Sequence, residues 1–306
     1  MNLYHKPLSR RQLLKVATTS AVALKLFPGA LNAAGTSPIM RTIPSSGEEI
    51  SAMGMGSYIT FDEKGDPAVR AELTRVLQLF FDHGGQLIDS SPMYGHAETA
   101  LGTLLKDVDH NNNLFAATKV WTYGREAGIR QMNESMQKMG VEVMDLMQIH
   151  NLRDWKVHLP TLRDWKDRGK IRYLGITTSG GRDHDEFEQI MATEPLDFVQ
   201  FTYNIENRLA EKRLLPLARD KGIATLINVP FGRGSLFKKV NGKQLPEWAA
   251  EFDCSSWAQF FLKFLIAHPQ VSCVIPATSN PRHMVDNMGA GYGRLPDAET
   301  REKMAA

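Results

Sequence analysis

The chain has 306 residues, 42% of them hydrophobic and 23% charged, the balance of a globular protein with a full apolar core. Its net charge of +2 hides an asymmetry: residues 1–33 hold five basic side chains and no acid, so the remainder carries 31 basic against 34 acidic groups. That mildly acidic body excludes a basic nucleic-acid surface, and no nucleic-acid partner is expected.

In chain order the basic leader comes first. LSRRQLLKVATTSAVALKLFPGALNAA runs from a basic start through a modest apolar stretch to small residues, the order of a secretory signal. Arg10-Arg11, preceded by Ser9 and followed by Gln12-Leu13-Leu14-Lys15, resembles a bacterial twin-arginine export signal. Lys25 interrupts the apolar stretch, which is too polar and short for a stable membrane span, and no second run reaches spanning length. The expectation is a signal over residues 1–34 and a barrel domain over 38–306. The resemblance further implies the twin-arginine translocation machinery as a partner, passage in the folded state and a periplasmic location. The two cysteines, Cys254 and Cys273, fit no metal-ligand spacing, and a bridge between them is the alternative to two free thiols.

After the leader, IMRTIPSSGEEI places turn residues between two short extended runs and predicts a hairpin. Strand candidates follow at SAMGMGS, GQLIDS, LFAATKV, VMDLMQIH, IRYLGITT, DFVQFTY, ATLINVP and SCVIPAT. Amphipathic helical patterns separate them, among them PAVRAELTRVLQLFFDHG, GIRQMNESMQKMG, LPTLRDWKDRGK and EKRLLPLARDKG. Eight strands alternating with helices predict parallel β/α units, and eight is the number that closes a (β/α)8 barrel, here a single domain behind its hairpin. The competing open, doubly wound sheet calls for a Gly-x-Gly-x-x-Gly after the first strand, and MGMGSYIT stops short of it. In GRDHDEFEQ, His184 and its acids imitate a metal site, but Asp183 and Glu186 have capping-box spacing and predict a helix start instead.

Polar residues then fall at the ends of successive strands. Asp89 closes QLID with Tyr94 in the loop beyond it, Lys119 closes FAATK, and His150 closes DLMQIH. Asp89 to Lys119 spans 30 residues and Lys119 to His150 spans 31, each about one βα unit, so all four groups converge on the face where barrels hold active sites. Asp89 and Lys119 supply opposite charges on neighbouring strands. A cation beside a phenol favours phenolate, so Tyr94 is expected below its ordinary value, able to give a proton to a developing oxyanion. His150 can hydrogen-bond a carbonyl as a neutral imidazole.

Taken in order, LIDSSPMYGHAE, ATKVW, DLMQIHN, FVQFTYN, PFGRGSL and IPATSNPRHMVDN resemble the aldo/keto reductase family, from about Met40 to about Ala290. The resemblance implies a catalytic tetrad of Asp89, Tyr94, Lys119 and His150, and an NAD(P)H-dependent oxidoreductase acting on a small carbonyl substrate. It also implies a nicotinamide dinucleotide held by Gly56, Ser57, Thr177, Thr178, Gln200, Asn228 and Pro230, with Gln200 on the carboxamide. Gly232, Gly234 and Leu236 would wrap the pyrophosphate, and Thr278, Ser279, Asn280, Arg282 and Asn287 the adenosine end. Thr177-Thr178 stand where the family commonly has Ser-Asn, Asn228 where an aromatic is frequent, and Ala277 where a lysine is usual. Arg282 is then the candidate for a 2′-phosphate, with NADP as the expected cofactor and NAD as the alternative. Tyr58 and Trp121 are the expected substrate-pocket aromatics. Two other readings compete: a non-catalytic nicotinamide-nucleotide-binding regulatory module on the same barrel, and a metal-dependent hydrolase, against which the lack of a His-x-His strand stands.

Overall fold

The structure, a computed structural model, describes residues 37–306, and the expected export signal lies outside them. Strands β1 (Met40–Thr42) and β2 (Glu49–Ser51) pair antiparallel as the predicted hairpin. Eight parallel strands follow: β3 (Met55–Gly56), β4 (Leu87–Asp89), β5 (Phe115–Val120), β6 (Met144–Ile149), β7 (Ile171–Thr177), β8 (Phe198–Thr202), β9 (Ala224–Asn228) and β10 (Cys273–Val274). Each pairs with its sequence neighbour, and parallel bridges Met53–Val274 and Gly56–Ala277 join the last to the first, so the sheet closes as a (β/α)8 barrel.

Side-chain alternation along the strands divides the core in two. Leu87, Phe115, Ala117, Leu146, Tyr173, Phe198, Leu226 and Cys273 form one buried cluster together with Ile43 and Ile50 of the hairpin, which therefore plugs one end of the barrel. Their neighbours Ile88, Ala116, Met147, Ile176, Val199 and Ile227 belong to the larger cluster between sheet and helices. Helix α1 (Pro67–Asp82) shows how the sequence writes such a layer. Asp66 Oδ1 accepts from the backbone N–H of Ala68 at 2.8 Å, Pro67 occupies the first turn, and Leu73, Val76, Leu77 and Phe80 are buried. The chain turns off at Gly84, whose φ of 73° costs a glycine nothing.

EKRLLPLARDKG departs from its expected single helix. It forms α6 (Leu209–Lys212) and α7 (Leu214–Lys221), after α2 (Ala97–Leu104), α3 (Arg125–Met139), α4 (Trp155–Asp167) and α5 (His184–Thr193). The break lies at Arg213, with φ −136° and ψ −51°. Pro216 explains it, because its ring would collide with the Lys212 carbonyl of a continuous helix. Asp183 does sit at the N-cap of α5, but in a left-handed conformation that makes no side-chain cap bond, while Glu186 accepts from the Trp155 indole at 2.8 Å. The capping box is therefore not formed. Cys254 and Cys273 are both buried and free, without the bridge. Among the described residues no helix is long and apolar enough to cross a membrane, and no group of His, Cys, Asp and Glu could hold a metal ion.

Candidate active site

The end of the barrel opposite the hairpin holds a charged centre inside apolar walls. Lys119, fully buried, donates from Nζ to Asp89 Oδ2 at 2.6 Å and to the Ser90 carbonyl at 2.6 Å. The second Asp89 oxygen accepts from Gln148 Nε2 at 2.9 Å and Gln200 Nε2 at 3.0 Å, so side chains from β4, β5, β6 and β8 meet on one carboxylate. Such pairing is what allows two charges to stay buried. Burial, the largest single influence, works against the ammonium, but Asp89 and Tyr94 together hold Lys119 above its ordinary value.

Tyr94 sits on the loop leaving β4, its ring centroid 5.1 Å from Lys119 Nζ. Its pKa corrects the expectation: burial raises the phenol above its ordinary value, and the opposing Lys119 charge does not reverse this. Burial exceeds the Lys119 effect, and the Asp89 charge paired with that ammonium offsets part of what remains. Tyr94 therefore keeps its proton, which suits an acid. The Tyr58 ring stands edge-on to it at 4.9 Å and the His150 ring at 5.9 Å.

His150 is buried, and desolvation first, with Lys119, Arg153 and Arg182 adding to it, drives its pKa down to about 2. The imidazole is neutral. Ser91 Oγ lies 3.0 Å from Nδ1 and also accepts from the Met93 N–H at 3.4 Å; in the tautomer where the serine donates to Nδ1, Nε2 carries the ring proton and is the donor.

Asp89, Tyr94 and His150 line a cavity of about 610 Å³ together with Gly56, Ser57, Thr177, Thr178 and Gln200, while Lys119, fully buried, is not on its wall. Asn228, Pro230 and Gly234 complete it from the β9 loop. Asn228 ties the strand ends together, donating to the Thr178 carbonyl at 3.0 Å and accepting from Thr202 Oγ1 at 2.6 Å. Gln200 is committed to Asp89 and faces Asn228 Nδ2 at 3.4 Å. The remaining expected residues are not on the cavity wall. Gly232 forms the turn beside it with φ 56°, and Leu236 is buried in the core. Thr278 is buried with its Oγ1 taken by the Asn280 N–H, and Asn280 caps α10 (Pro281–Gly289; α8 is Ser235–Lys239, α9 Trp257–Ile266) by accepting from the Arg282 N–H at 2.9 Å. Asn287 is buried, whereas Ser279 and Arg282 are exposed just beyond the rim. Tyr58 lines the cavity; Trp121 does not, lying 6.4 Å from the His150 ring with Arg153 stacked on it at 4.2 Å.

A dinucleotide fits this surface. Asn151 and Thr60 line the cavity, and their buried Oδ1 and Oγ1 atoms have no hydrogen-bond partner among the described residues. Sequence reading missed three participants. Gln148 lies one pleat before His150 and was readable as an inward polar residue. Glu98 closes the quoted LIDSSPMYGHAE segment, yet its burial between Thr118 and Ser135 has no sequence signal. Arg182 reaches the cavity from the loop after β7.

A closed (β/α)8 barrel with a buried Asp–Lys pair, a phenol and a neutral imidazole at its open end defines a scaffold built for proton transfer at a polar centre. Comparison makes this specific. The Aldo/keto reductase family profile matches residues 52–303, and the chain belongs to that family of NAD(P)-dependent enzymes. It is 26% identical over 227 residues to aldo-keto reductase YhdN of Bacillus subtilis (strain 168), covering 69% of this chain and 66% of that protein. It is 27% identical over 248 residues to the NADH-specific methylglyoxal reductase of Escherichia coli (strain K12), covering 68% and 72%. A Klebsiella pneumoniae aldo/keto reductase solved with NADP and acetate superposes with a TM-score of 0.72 at 20% identity, covering 88% of this chain and 94% of that one.

Proposed function

We propose that the protein reduces the carbonyl of a small aldehyde or ketone, with NADPH as the preferred cofactor, NADH as the alternative, and Tyr94 as general acid. The observation that carries this reading is the protonated, buried phenol beside the Asp89–Lys119 pair, with Tyr94, Asp89 and the neutral His150 on one cavity. The bound nicotinamide supplies hydride to the carbonyl carbon. Neutral His150 donates from Nε2 to the carbonyl oxygen and fixes its direction. Tyr94 gives its proton to that oxygen as negative charge develops, and Lys119 stabilises the phenolate left behind. Gln148 and Gln200 donate to the Asp89 oxygen that Lys119 leaves free and so hold the carboxylate in place beside the ammonium.

Relatives support the nicotinamide part: the Klebsiella pneumoniae enzyme was solved with NADP, and the Escherichia coli relative is NADH-specific. Exposed Arg282, which forms no ion pair with any described residue, is the candidate for a 2′-phosphate, which favours NADP. We further propose that the protein is exported folded through the twin-arginine route to the periplasm, a reading supported by Ser9-Arg10-Arg11-Gln12-Leu13-Leu14-Lys15.

The test is turnover of NADPH with a panel of small aldehydes. Tyr94→Phe is expected to lower kcat by about 10²–10⁴-fold with NADPH affinity retained. Full activity in that variant overturns the mechanism. Replacing Arg10-Arg11 with Lys-Lys is expected to leave the protein in the cytoplasm; unchanged periplasmic recovery overturns the export reading.

A further inference from the structure

Charge is distributed unevenly around the cavity. Asp89 is the one carboxylate on its wall, and Lys119 already neutralises it. Two guanidiniums, Arg182 and Arg233, also line the wall, and neither forms an ion pair with any described residue. Arg153 stands just outside with the same lack of an acid, stacked on Trp121 at 4.2 Å and Tyr123 at 4.9 Å. Cationic groups without carboxylates around a concave surface favour an anion.

The two wall arginines face different regions. Arg233 lies in the turn between Gly232 and Gly234 and leans over the Tyr58 ring at 5.9 Å. Arg153 stacks on Trp121, whose ring lies 6.4 Å from that of His150, and both Arg153 and Arg182 oppose protonation of that imidazole. Arg182 and Arg153 therefore belong to the side where a carbonyl oxygen meets His150. The loop holds Arg182 firmly: Thr178 Oγ1 donates to its carbonyl at 2.7 Å, and Nε and Nη2 donate to Ser179 at 3.3 Å each. The rest of the fork has no partner among the described residues. A planar fork held this way matches a carboxylate through paired hydrogen bonds.

We propose that the natural substrate carries a carboxylate as well as the reducible carbonyl, and that Arg182, supported by the charge of Arg153, receives it. The proposal rests on the reductase reading above and narrows its substrate class. It assigns Arg182 to discrimination between substrates, and leaves proton transfer with Tyr94.

The experiment compares matched pairs: benzaldehyde with 4-carboxybenzaldehyde, and butanal with 4-oxobutanoate, each with NADPH. The carboxylated member is expected to have the higher kcat/KM in at least one pair. Arg182→Met is expected to lower the ratio of carboxylated to neutral kcat/KM in that pair by about tenfold or more, chiefly through KM, with Arg182→Lys intermediate. Neutral aldehydes preferred in both pairs would overturn the proposal. So would an equal loss on both members, or a loss of NADPH affinity in place of discrimination, which would assign Arg182 to the dinucleotide. Neutral aldehydes turned over in a Tyr94-dependent manner without carboxylate preference sink only this inference. Absence of Tyr94-dependent turnover with every aldehyde sinks the reductase reading itself.

Discussion

The two ends of the barrel interior are built from the same strands and solve opposite problems. At the hairpin end, Phe115, Tyr173 and Phe198 pack ring on ring, with centroids 5.5–6.0 Å apart, and Ile43 and Ile50 close over them. One or two pleats further along those strands come Lys119, Thr177 and Gln200, fully or nearly fully buried and polar. The apolar end is stable because it excludes water. The polar end is tolerated only because its buried charges, Asp89 and Lys119, are paired, and that requirement makes it sensitive to single changes.

Lys119→Met is the sharpest way to break the polar end. It strands Asp89 as a buried carboxylate with amide partners only, and should cost about 3–5 kcal/mol of stability. Urea unfolding would measure this, and turnover should fall together with stability because the Tyr94 phenolate loses its cation. A variant of wild-type stability would show that Gln148 and Gln200 suffice for Asp89.

The apolar end makes the matching test. Ile50→Ala removes a fully buried side chain from the plug and should cost about 2–5 kcal/mol through lost burial and the cavity left behind. Here kcat should stay close to wild type well below the unfolding temperature. A loss of kcat in the folded variant would mean that the two ends are mechanically coupled.

Glu98 tests the border between site and scaffold. Its buried carboxylate opens α2, just past the Tyr94 loop, and accepts from Thr118 Oγ1 at 2.5 Å and Ser135 Oγ at 3.1 Å. Thr118 adjoins Lys119, so Glu98 fastens the loop of the phenol to the strand of the ammonium. Glu98→Ala leaves two buried hydroxyls unpaired and should cost about 1–3 kcal/mol, with kcat falling more than KM rises. Glu98→Gln, which still accepts a hydrogen bond, should recover most of both.

How far the sequence led follows the same division. Strand alternation and even βα spacing are local properties, so the barrel, the hairpin and the convergence of Asp89, Tyr94, Lys119 and His150 were legible. The break before Leu214 was readable in Pro216, since a proline forbids the bond a longer helix needs. The sign of the Tyr94 shift was not legible, because it depends on burial depth and on how completely Asp89 screens Lys119. Asn280 was expected as a cofactor donor, and its position directly before Pro281 already marked it as a helix cap. Arg182 was invisible for another reason: an arginine in a glycine-rich loop carries no signal of which way the loop folds.

The smallest effect concerns pH, and it separates the two ends by charge alone. His150 has a folded pKa of about 2 against an ordinary value of 6.5, because burial and the cations Lys119, Arg153 and Arg182 oppose its protonation. A depressed pKa means that the unfolded chain takes up a proton the folded protein refuses. The contribution is complete above pH 6.5 and is lost progressively as pH falls toward the folded value. At pH 5.5 the loss from His150 alone is about 1.4 kcal/mol. His268, lowered to about 4 mainly by burial, acts in the same direction. Chemical denaturation at pH 7.5 and 5.5 would measure the combined slope, and His150→Gln should flatten it while Ile50→Ala leaves it unchanged. An undiminished slope in His150→Gln would show that the imbalance of protons lies elsewhere in the chain.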